Sequence, residues 1–402
     1  MSTNLNAPWQ SRYDDALMRT FAPPKRLLVR GEGCWVWDSE GRAYLDFLGG
    51  IAVNALGHAH PALVESLSAQ VATLVHVSNF FATEPQIALA ERLLTLTGAG
   101  ETGRVFFANS GTEAVEAAFK LARLGRGENG ERTRILALHN AFHGRSMGAL
   151  ALTGKPAIQN DFVPLPAGVE HIDATVAALD AAMDDRVAAL FVEPIQGETG
   201  VVPLPEGYLR RARELTRQHG ALLIIDEIQT GIGRTGLWFG YQHESILPDA
   251  ITLAKGLGGG VPIGALVTFG AASDLFGPGQ HGSTFGGNPL ATAAALAVID
   301  EIANAQLVAN AARRGEQLID AVMGLGSPLV SGVRGRGLLL GVALNKPVAT
   351  RVVDAALERG LIVNAPNEST IRLAPPLIVG DAECEAFGER FALALADTIQ
   401  GQ

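Results

Sequence analysis

Ala-Leu-Leu-Ile-Ile-Asp-Glu-Ile-Gln-Thr-Gly, residues 221–231, and Asp-Ala-Ile-Thr-Leu-Ala-Lys-Gly, residues 249–256, decide how the rest of the chain reads. Each is a short apolar run that ends in an ionisable residue. Such a run, bounded by turn residues, predicts a strand buried on both faces of a parallel sheet. Ligands of open α/β sheets lie at the carboxyl ends of these strands. The two stretches therefore place Asp226 and Lys255 in one crevice.

A lysine and an acid brought together in this way meet the needs of pyridoxal phosphate chemistry. The lysine forms an imine with the cofactor aldehyde, and the acid keeps the pyridine nitrogen protonated so that the ring accepts electrons. The chain has only Lys25, Lys120, Lys155, Lys255 and Lys346. Lys25 follows Pro-Pro, Lys155 and Lys346 sit in loop-like Gly-Lys-Pro and Asn-Lys-Pro, and Lys120 falls on the solvent side of a helix. Only Lys255 closes an apolar run, where desolvation favours the neutral, nucleophilic amine. The plainer readings are a strand-end lysine that snorkels to water and a capping or turn aspartate at 226. At these two residues alone, both remain open.

Outward from this pair, strand and helix alternate. The expected strands are Val105–Ala108, Ile135–His139, Ala188–Val192, Leu222–Ile225, Ala250–Leu253 and Ala265–Phe269. Helices fall between most of them, as at Gly207–His219, which Gly220 stops. The alternation predicts an α/β fold with a mostly parallel sheet wound by helices. Ahead of it, helices are expected over 61–74 and 84–97. A long helix starting near Pro289 leads out of the domain, and the chain from about Val330 onward reads as a small α+β domain. Residues 1–25 read as an arm and Arg26–Phe47 as a β-hairpin turning at Asp38–Gly41, which must pack elsewhere to be stable. The expected division is 1–60 as arm and hairpin joining the small domain, 61–305 as the large cofactor-binding domain, and 306–402 as the small domain.

Bulk composition narrows the partners. The chain has 402 residues, is 48% hydrophobic and 18% charged, and carries a formal net charge of −10. Without a basic block, nucleic acid and anionic membrane surfaces are not expected partners. No apolar run reaches the roughly 18–20 residues of a membrane span, and the N-terminus lacks the pattern of a secretory signal. Cys34 and Cys384 stand far apart and read as free thiols of a reducing compartment. A cytoplasmic enzyme is the expectation.

Further motifs sit at strand ends. Asn109-Ser-Gly-Thr-Glu113 has capping-box spacing, with Ser110 and Glu113 as its pair, and Gly111 and Thr112 would open a helix whose first amides suit a phosphate. An ordinary well-capped helix fits the same letters. Phe142 would lie flat on an aromatic cofactor or fill the core; Arg145 would clamp a carboxylate or simply face solvent. His58 and His60, in His-x-His beside a proline, lack the further ligands a metal site needs. Gly231-Ile-Gly-Arg-Thr-Gly236 matches GxGxxG, the remote alternative of a nicotinamide-dependent oxidoreductase, but no small-residue helix start follows it.

The strings Ser-Gly-Thr-Glu-Ala (110–114), Phe-His-Gly-Arg (142–145), Glu-Pro-Ile-Gln-Gly-Glu-Thr-Gly (193–200), Asp-Glu-Ile-Gln-Thr-Gly (226–231), Leu-Ala-Lys-Gly-Leu-Gly-Gly-Gly (253–260) and Gly-Ser-Thr-Phe-Gly-Gly-Asn-Pro (282–289) resemble, in order and spacing, the class III (ornithine-type) pyridoxal-phosphate aminotransferases. The resemblance runs over nearly the whole chain. It implies fold type I and assigns Lys255 the imine link to the cofactor and Asp226 the pyridine nitrogen. Gln229 would lie near the phenolic oxygen, Ser110, Gly111 and Thr112 at the phosphate, and Phe142 on the ring. Thr284 would reach the phosphate of a neighbouring subunit, with Ser283 beside the substrate, which implies a homodimer with shared sites. Arg145 and Arg372 would hold substrate carboxylates, with Glu198 pairing to the second and releasing it for a dicarboxylic partner. No metal is implied.

The acetylornithine-type members are the most similar. Hence the expected reaction passes the terminal amine of N2-acetylornithine to 2-oxoglutarate, a step of arginine biosynthesis. Succinylornithine, succinyl-diaminopimelate, ornithine and 4-aminobutyrate are the alternative donors. Ornithine-specific relatives carry a tyrosine in the stretch that here reads Leu-Gly-Gly-Ile-Ala-Val-Asn, which favours an N-acylated donor.

Overall fold

The computed structural model describes residues 8–127 and 129–400. At its centre is a seven-stranded sheet in the order Arg104–Ala108, Gly264–Thr268, Ala250–Leu253, Leu222–Asp226, Val187–Val192, Arg134–Leu138, Val169–Ile172. Leu222–Asp226 pairs in parallel with both of its neighbours, whereas Gly264–Thr268 runs antiparallel to both of its own. The sheet is thus the expected parallel-rich one with a single reversed strand. Val187–Val192 is buried along its whole length, as an all-apolar run flanked by strands and covered by helices must be. The expected strands appear within a residue or so of their predicted ends. Val169–Ile172 was not expected, because this edge strand is half polar (Val-Glu-His-Ile) and only partly buried.

Helices cover the sheet. Gly111–Leu124 buries one face of Ala, Val, Phe and Leu side chains, and Tyr208–His219 ends at Gly220 in the left-handed conformation, φ 65°. Pro289–Asn304 follows the sheet and leads to Leu307–Gly324. Among the described residues no single helix is long and apolar enough to cross a membrane.

Two smaller sheets flank this core. One is antiparallel, in the order Val330–Arg336, Leu339–Leu344, Thr370–Leu373, Asn364–Asn367. The other differs from the single hairpin expected over Arg26–Phe47. It is a meander of Leu28–Glu32, Trp35–Asp38 and Ala43–Asp46, joined in parallel by Leu361–Ile362. The extra reversal comes at Gly33, φ 56°, a backbone conformation open to glycine without steric cost. Of the expected arm, residues 1–7 lie outside the described residues, and Trp9–Ala16 is a helix with no buried residue. Cys34 and Cys384 are free and buried, and burial raises the Cys384 thiol to about 11.

Candidate active site

Five strands release functional side chains at one edge of the central sheet. Asp226 is the last residue of Leu222–Asp226 and pairs in register with Thr252 of the adjacent strand, which ends at Leu253, two residues before Lys255. Glu193 follows Val192 on the other side. Ser110 to Thr112 follow Arg104–Ala108, and Phe142 to Arg145 follow Arg134–Leu138. Together they line a cavity of about 390 Å³, within the roughly 300–1,000 Å³ of small-molecule sites.

Lys255 sits in this cavity with φ 43°, in the left-handed region that costs a non-glycine residue of order 1–3 kcal/mol and concentrates at functional sites. Burial lowers its ammonium from 10.5 to about 8, against the opposing pull of Glu198, Asp226 and Glu193. Asp226 accepts from the Ile228 amide at 3.0 Å and contacts Nδ1 of His143 at 2.7 Å. Burial acts to lower the His143 pKa, but the hydrogen bond to Asp226 and the charges of Asp226 and Glu193 outweigh it, so the net change is upward. With its Nδ1 carrying a proton, His143 donates to the Asp226 carboxylate. Glu193 accepts from the Phe142 amide at 3.0 Å and the Gly197 amide at 3.4 Å; burial raises its carboxyl to about 7.

The helix Gly111–Leu124 points its first turn into the cavity, where its amides have no intrahelical partner. Ser110 caps it, accepting from the Glu113 amide at 3.3 Å. The reciprocal bond of the expected capping box falls one residue earlier, because the Glu113 carboxylate takes the Asn109 amide at 2.8 Å. Gly144, φ 138°, leaves room for Thr112: a Cβ there would meet Thr112 Oγ1 at 2.4 Å. The half-buried Phe142 ring forms a wall, and the exposed Arg145 guanidinium lies 5.8 Å from its centroid.

Arg372 is 1% exposed and enters from the C-terminal antiparallel sheet. Its Nη1 donates to Glu198, to the Gly197 carbonyl at 3.3 Å and to Gln229 Oε1 at 3.2 Å. Its Nη2 is buried with no protein partner. Burial opposes ionisation of Glu198, yet the charge and hydrogen bond of Arg372 prevail and lower its pKa.

Of the residues singled out in the sequence, Ser110, Gly111, Thr112, Phe142, Arg145, Glu198, Asp226, Gln229 and Lys255 line this one cavity, and Arg372 contacts Glu198 and Gln229 at its rim. Ser283 and Thr284 do not line it. The Ser283 hydroxyl accepts from Asn109 Nδ2 at 3.1 Å, and Thr284 is exposed beside Phe285, which is 59% exposed. His143, Glu193 and Lys155 were not singled out. The first two stand inside motif strings already quoted, next to Phe142 and after the apolar run 187–192, and a buried polar residue at a strand end was the available signal. Lys155, read as a loop lysine, turns inward. The glycine string 231–236 opens no helix; buried turns follow the strand instead, and no dinucleotide-binding start forms. His58 contacts Asp46 at 2.9 Å.

A buried lysine, a buried aspartate in contact with a histidine, an aromatic wall and a helix start at one sheet edge, with Arg145 beside them and Arg372 reaching in from the C-terminal sheet, form an aminotransferase-like site. The aminotransferase class-III family model matches residues 19–395, and the chain belongs to that family: it is an aminotransferase of the pyridoxal-phosphate class. An acetylornithine aminotransferase of Streptomyces coelicolor is 54% identical over 95% of this chain and 94% of its own. Among solved structures, the ornithine aminotransferase from Toxoplasma gondii ME49 superposes with a TM-score of 0.93 at 34% identity, covering 98% of this chain and 96% of that one. The N-acetylornithine aminotransferase from Stenotrophomonas maltophilia K279a does so with a TM-score of 0.84 at 36% identity, covering 98% and 100%.

Proposed function

We propose that this enzyme transfers the terminal amine of N2-acetylornithine to 2-oxoglutarate, yielding N-acetylglutamate 5-semialdehyde and glutamate in two half-reactions at one site. The observation that carries the reading is the placement of Asp226 at the end of one strand and Lys255 just beyond the end of its register-paired neighbour, in the cavity that the 110–112 helix start also enters. These residues fit pyridoxal phosphate: Lys255 would link its aldehyde, Asp226 would pair with the pyridine nitrogen and Gln229 would serve the phenolic oxygen. Phe142 would lie against its ring, and Ser110, Gly111 and Thr112 would hold its phosphate. The bound group supplies an electron sink for the carbon that bears the amine.

The chain's own residues do the rest. Lys255 Nζ, neutral in part near pH 8, takes the proton from the amine-bearing carbon, a positioned transfer typically worth about 10²- to 10⁴-fold. Asp226 is held in place by the contact to His143 Nδ1 and by the Ile228 amide, which donates to it. The exposed Arg145 receives the single carboxylate of the acylated donor while Glu198 occupies Arg372. When 2-oxoglutarate enters, Glu198 releases Arg372, and the second carboxylate takes its place, reaching the otherwise unpartnered Nη2. The ion pair thereby lets one pocket accept a reacting carbon that carries no carboxylate and one that does.

The reading includes a cytoplasmic homodimer with shared sites. Phe80, Phe81 and Phe285 are 90%, 68% and 59% exposed, and Asn79 ties their segments together by donating to the Ser283 and Gly286 carbonyls at 3.2 and 3.1 Å. An apolar face of this kind, with Thr284 at its edge, supports burial against a second copy. The test of the reaction is isotopic. N2-acetylornithine labelled with ¹⁵N at the terminal amine should yield ¹⁵N-glutamate from 2-oxoglutarate. Unlabelled glutamate, or transfer only from ornithine or 4-aminobutyrate, would refute the donor.

A further inference from the structure

Glu198 stands in a tight turn, Gly197–Thr199, whose carbonyls are taken one after another by side chains from distant segments. Arg372 Nη1 donates to Gly197 O at 3.3 Å, Lys155 Nζ to Glu198 O at 2.6 Å, Asn367 Nδ2 to Thr199 O at 2.9 Å and Arg334 Nε to Gly200 O at 2.8 Å. Three of these donors come from the C-terminal antiparallel sheet or its edge. Of these four donors only Lys155 comes from the central domain, and the carbonyl it holds belongs to the glutamate that covers Arg372.

The backbone of Lys155 is itself fixed. Gly154 forms a bridge to the end of the strand Arg134–Leu138, donating to the Ala141 carbonyl at 3.0 Å and accepting from the Asn140 amide at 2.8 Å. A Cβ at Gly154 would meet the Leu138 carbonyl at 2.2 Å, so only glycine allows this approach. Pro156 opens the next short helix directly behind the lysine. The ammonium is half buried, and burial, with the charges of Arg372 and Arg145, lowers its pKa although Glu198 and Glu193 act to raise it. A lysine on a surface loop has no need of such an anchor.

Resting on the proposed pairing and release of Glu198, we propose that Lys155 is a positioning residue for substrate discrimination. By gripping the Glu198 carbonyl, it holds the turn in the arrangement that covers Arg372, and so sets how strongly the site prefers a donor with no carboxylate on its amine-bearing carbon over glutamate. Without the grip, Arg372 is uncovered more of the time, and glutamate competes better as amine donor. The Lys155 side chain acts through Glu198 and is not required to touch the substrate.

The test compares kcat/KM for the half-reaction of N2-acetylornithine with that for glutamate, each followed on the cofactor-loaded enzyme. Lys155→Met removes the donor and keeps the apolar stem; Lys155→Gln keeps a donor. In Lys155→Met the ratio should fall about tenfold, the effect of one charge-assisted hydrogen bond acting in one of two states. Lys155→Gln should stay within roughly twofold of wild type by the same reasoning. Equal losses for both substrates, or an unchanged ratio in Lys155→Met, would overturn the proposal. So would an equal fall in both variants. The wild-type control separates this outcome from failure of the donor assignment. An enzyme inactive with N2-acetylornithine refutes that assignment, and the same ratio taken with the amine it does use still decides the role of Lys155.

Discussion

Replacing Lys255 by methionine should stabilise the cofactor-free protein while abolishing its activity. Burial holds the Lys255 pKa at about 8 instead of 10.5, which means that folding carries a cost whenever the amine is charged. The fall from 10.5 to about 8 corresponds to about 3 kcal/mol at about 1.36 kcal/mol for each pH unit. Below pH 8 the lysine is protonated in folded and unfolded chains alike, and the full cost applies. Between pH 8 and 10.5 the unfolded chain binds more protons than the folded one, so wild-type stability rises with pH across that window. Above it both forms are neutral and the cost is gone. Methionine is close in length and carries no charge, so Lys255→Met should exceed wild type by about 3 kcal/mol at pH 7, converging as pH approaches 10.5. Urea denaturation of the two apo-proteins at a series of pH values, with the difference in midpoint converted through the common slope, measures this directly. A difference that is constant with pH, or a variant less stable at pH 7, would refute the claim that the amine is desolvated.

The remaining predictions concern the groups around that lysine. Lys255→Ala should keep the fold by circular dichroism and lose about 10²- to 10⁴-fold or more in kcat, the range for a positioned proton-transfer group. Glu198→Gln leaves the Arg372 charge uncompensated. It should lower stability by about 2 kcal/mol, less than the roughly 3–5 of a fully buried pair because Glu198 is 27% exposed, and it should improve glutamate as donor relative to N2-acetylornithine. His143→Leu removes the 2.7 Å partner of Asp226. One hydrogen bond to a charged group translates into a roughly 10- to 100-fold loss in kcat, with the apo-protein still folded.

Much of this was legible in the sequence because parallel strands announce themselves. The runs 187–192 and 222–225 are apolar throughout, 250–253 departs only at Thr252, and ionisable residues stand just past their ends. The capped helix start at Ser110 was equally plain, because Ser110 and Glu113 have cap spacing whatever fills the pocket. What the letters hid were long-range pairings. Nothing local to Gly154-Lys155-Pro156 says that the lysine reaches Glu198, since that depends on a glycine pressed against a strand far away in sequence. The Gly33 reversal was missed because glycines in Gly31-Glu-Gly33 also suit a plain strand end. Val169–Ile172 escaped because edge strands need not alternate cleanly. The roles of His143 and Glu193 follow from burial, which a neighbouring-residue pattern does not report.

The central claim is that the cavity between Asp226 and Lys255 holds pyridoxal phosphate and passes an amine through it. The visible spectrum of the purified enzyme, taken before and after N2-acetylornithine and again after 2-oxoglutarate, tests it most directly. The account predicts a yellow band that fades with the donor and returns with the acceptor, with glutamate formed in step with the return. Failure of the protein to develop any such band after incubation with pyridoxal phosphate would contradict it.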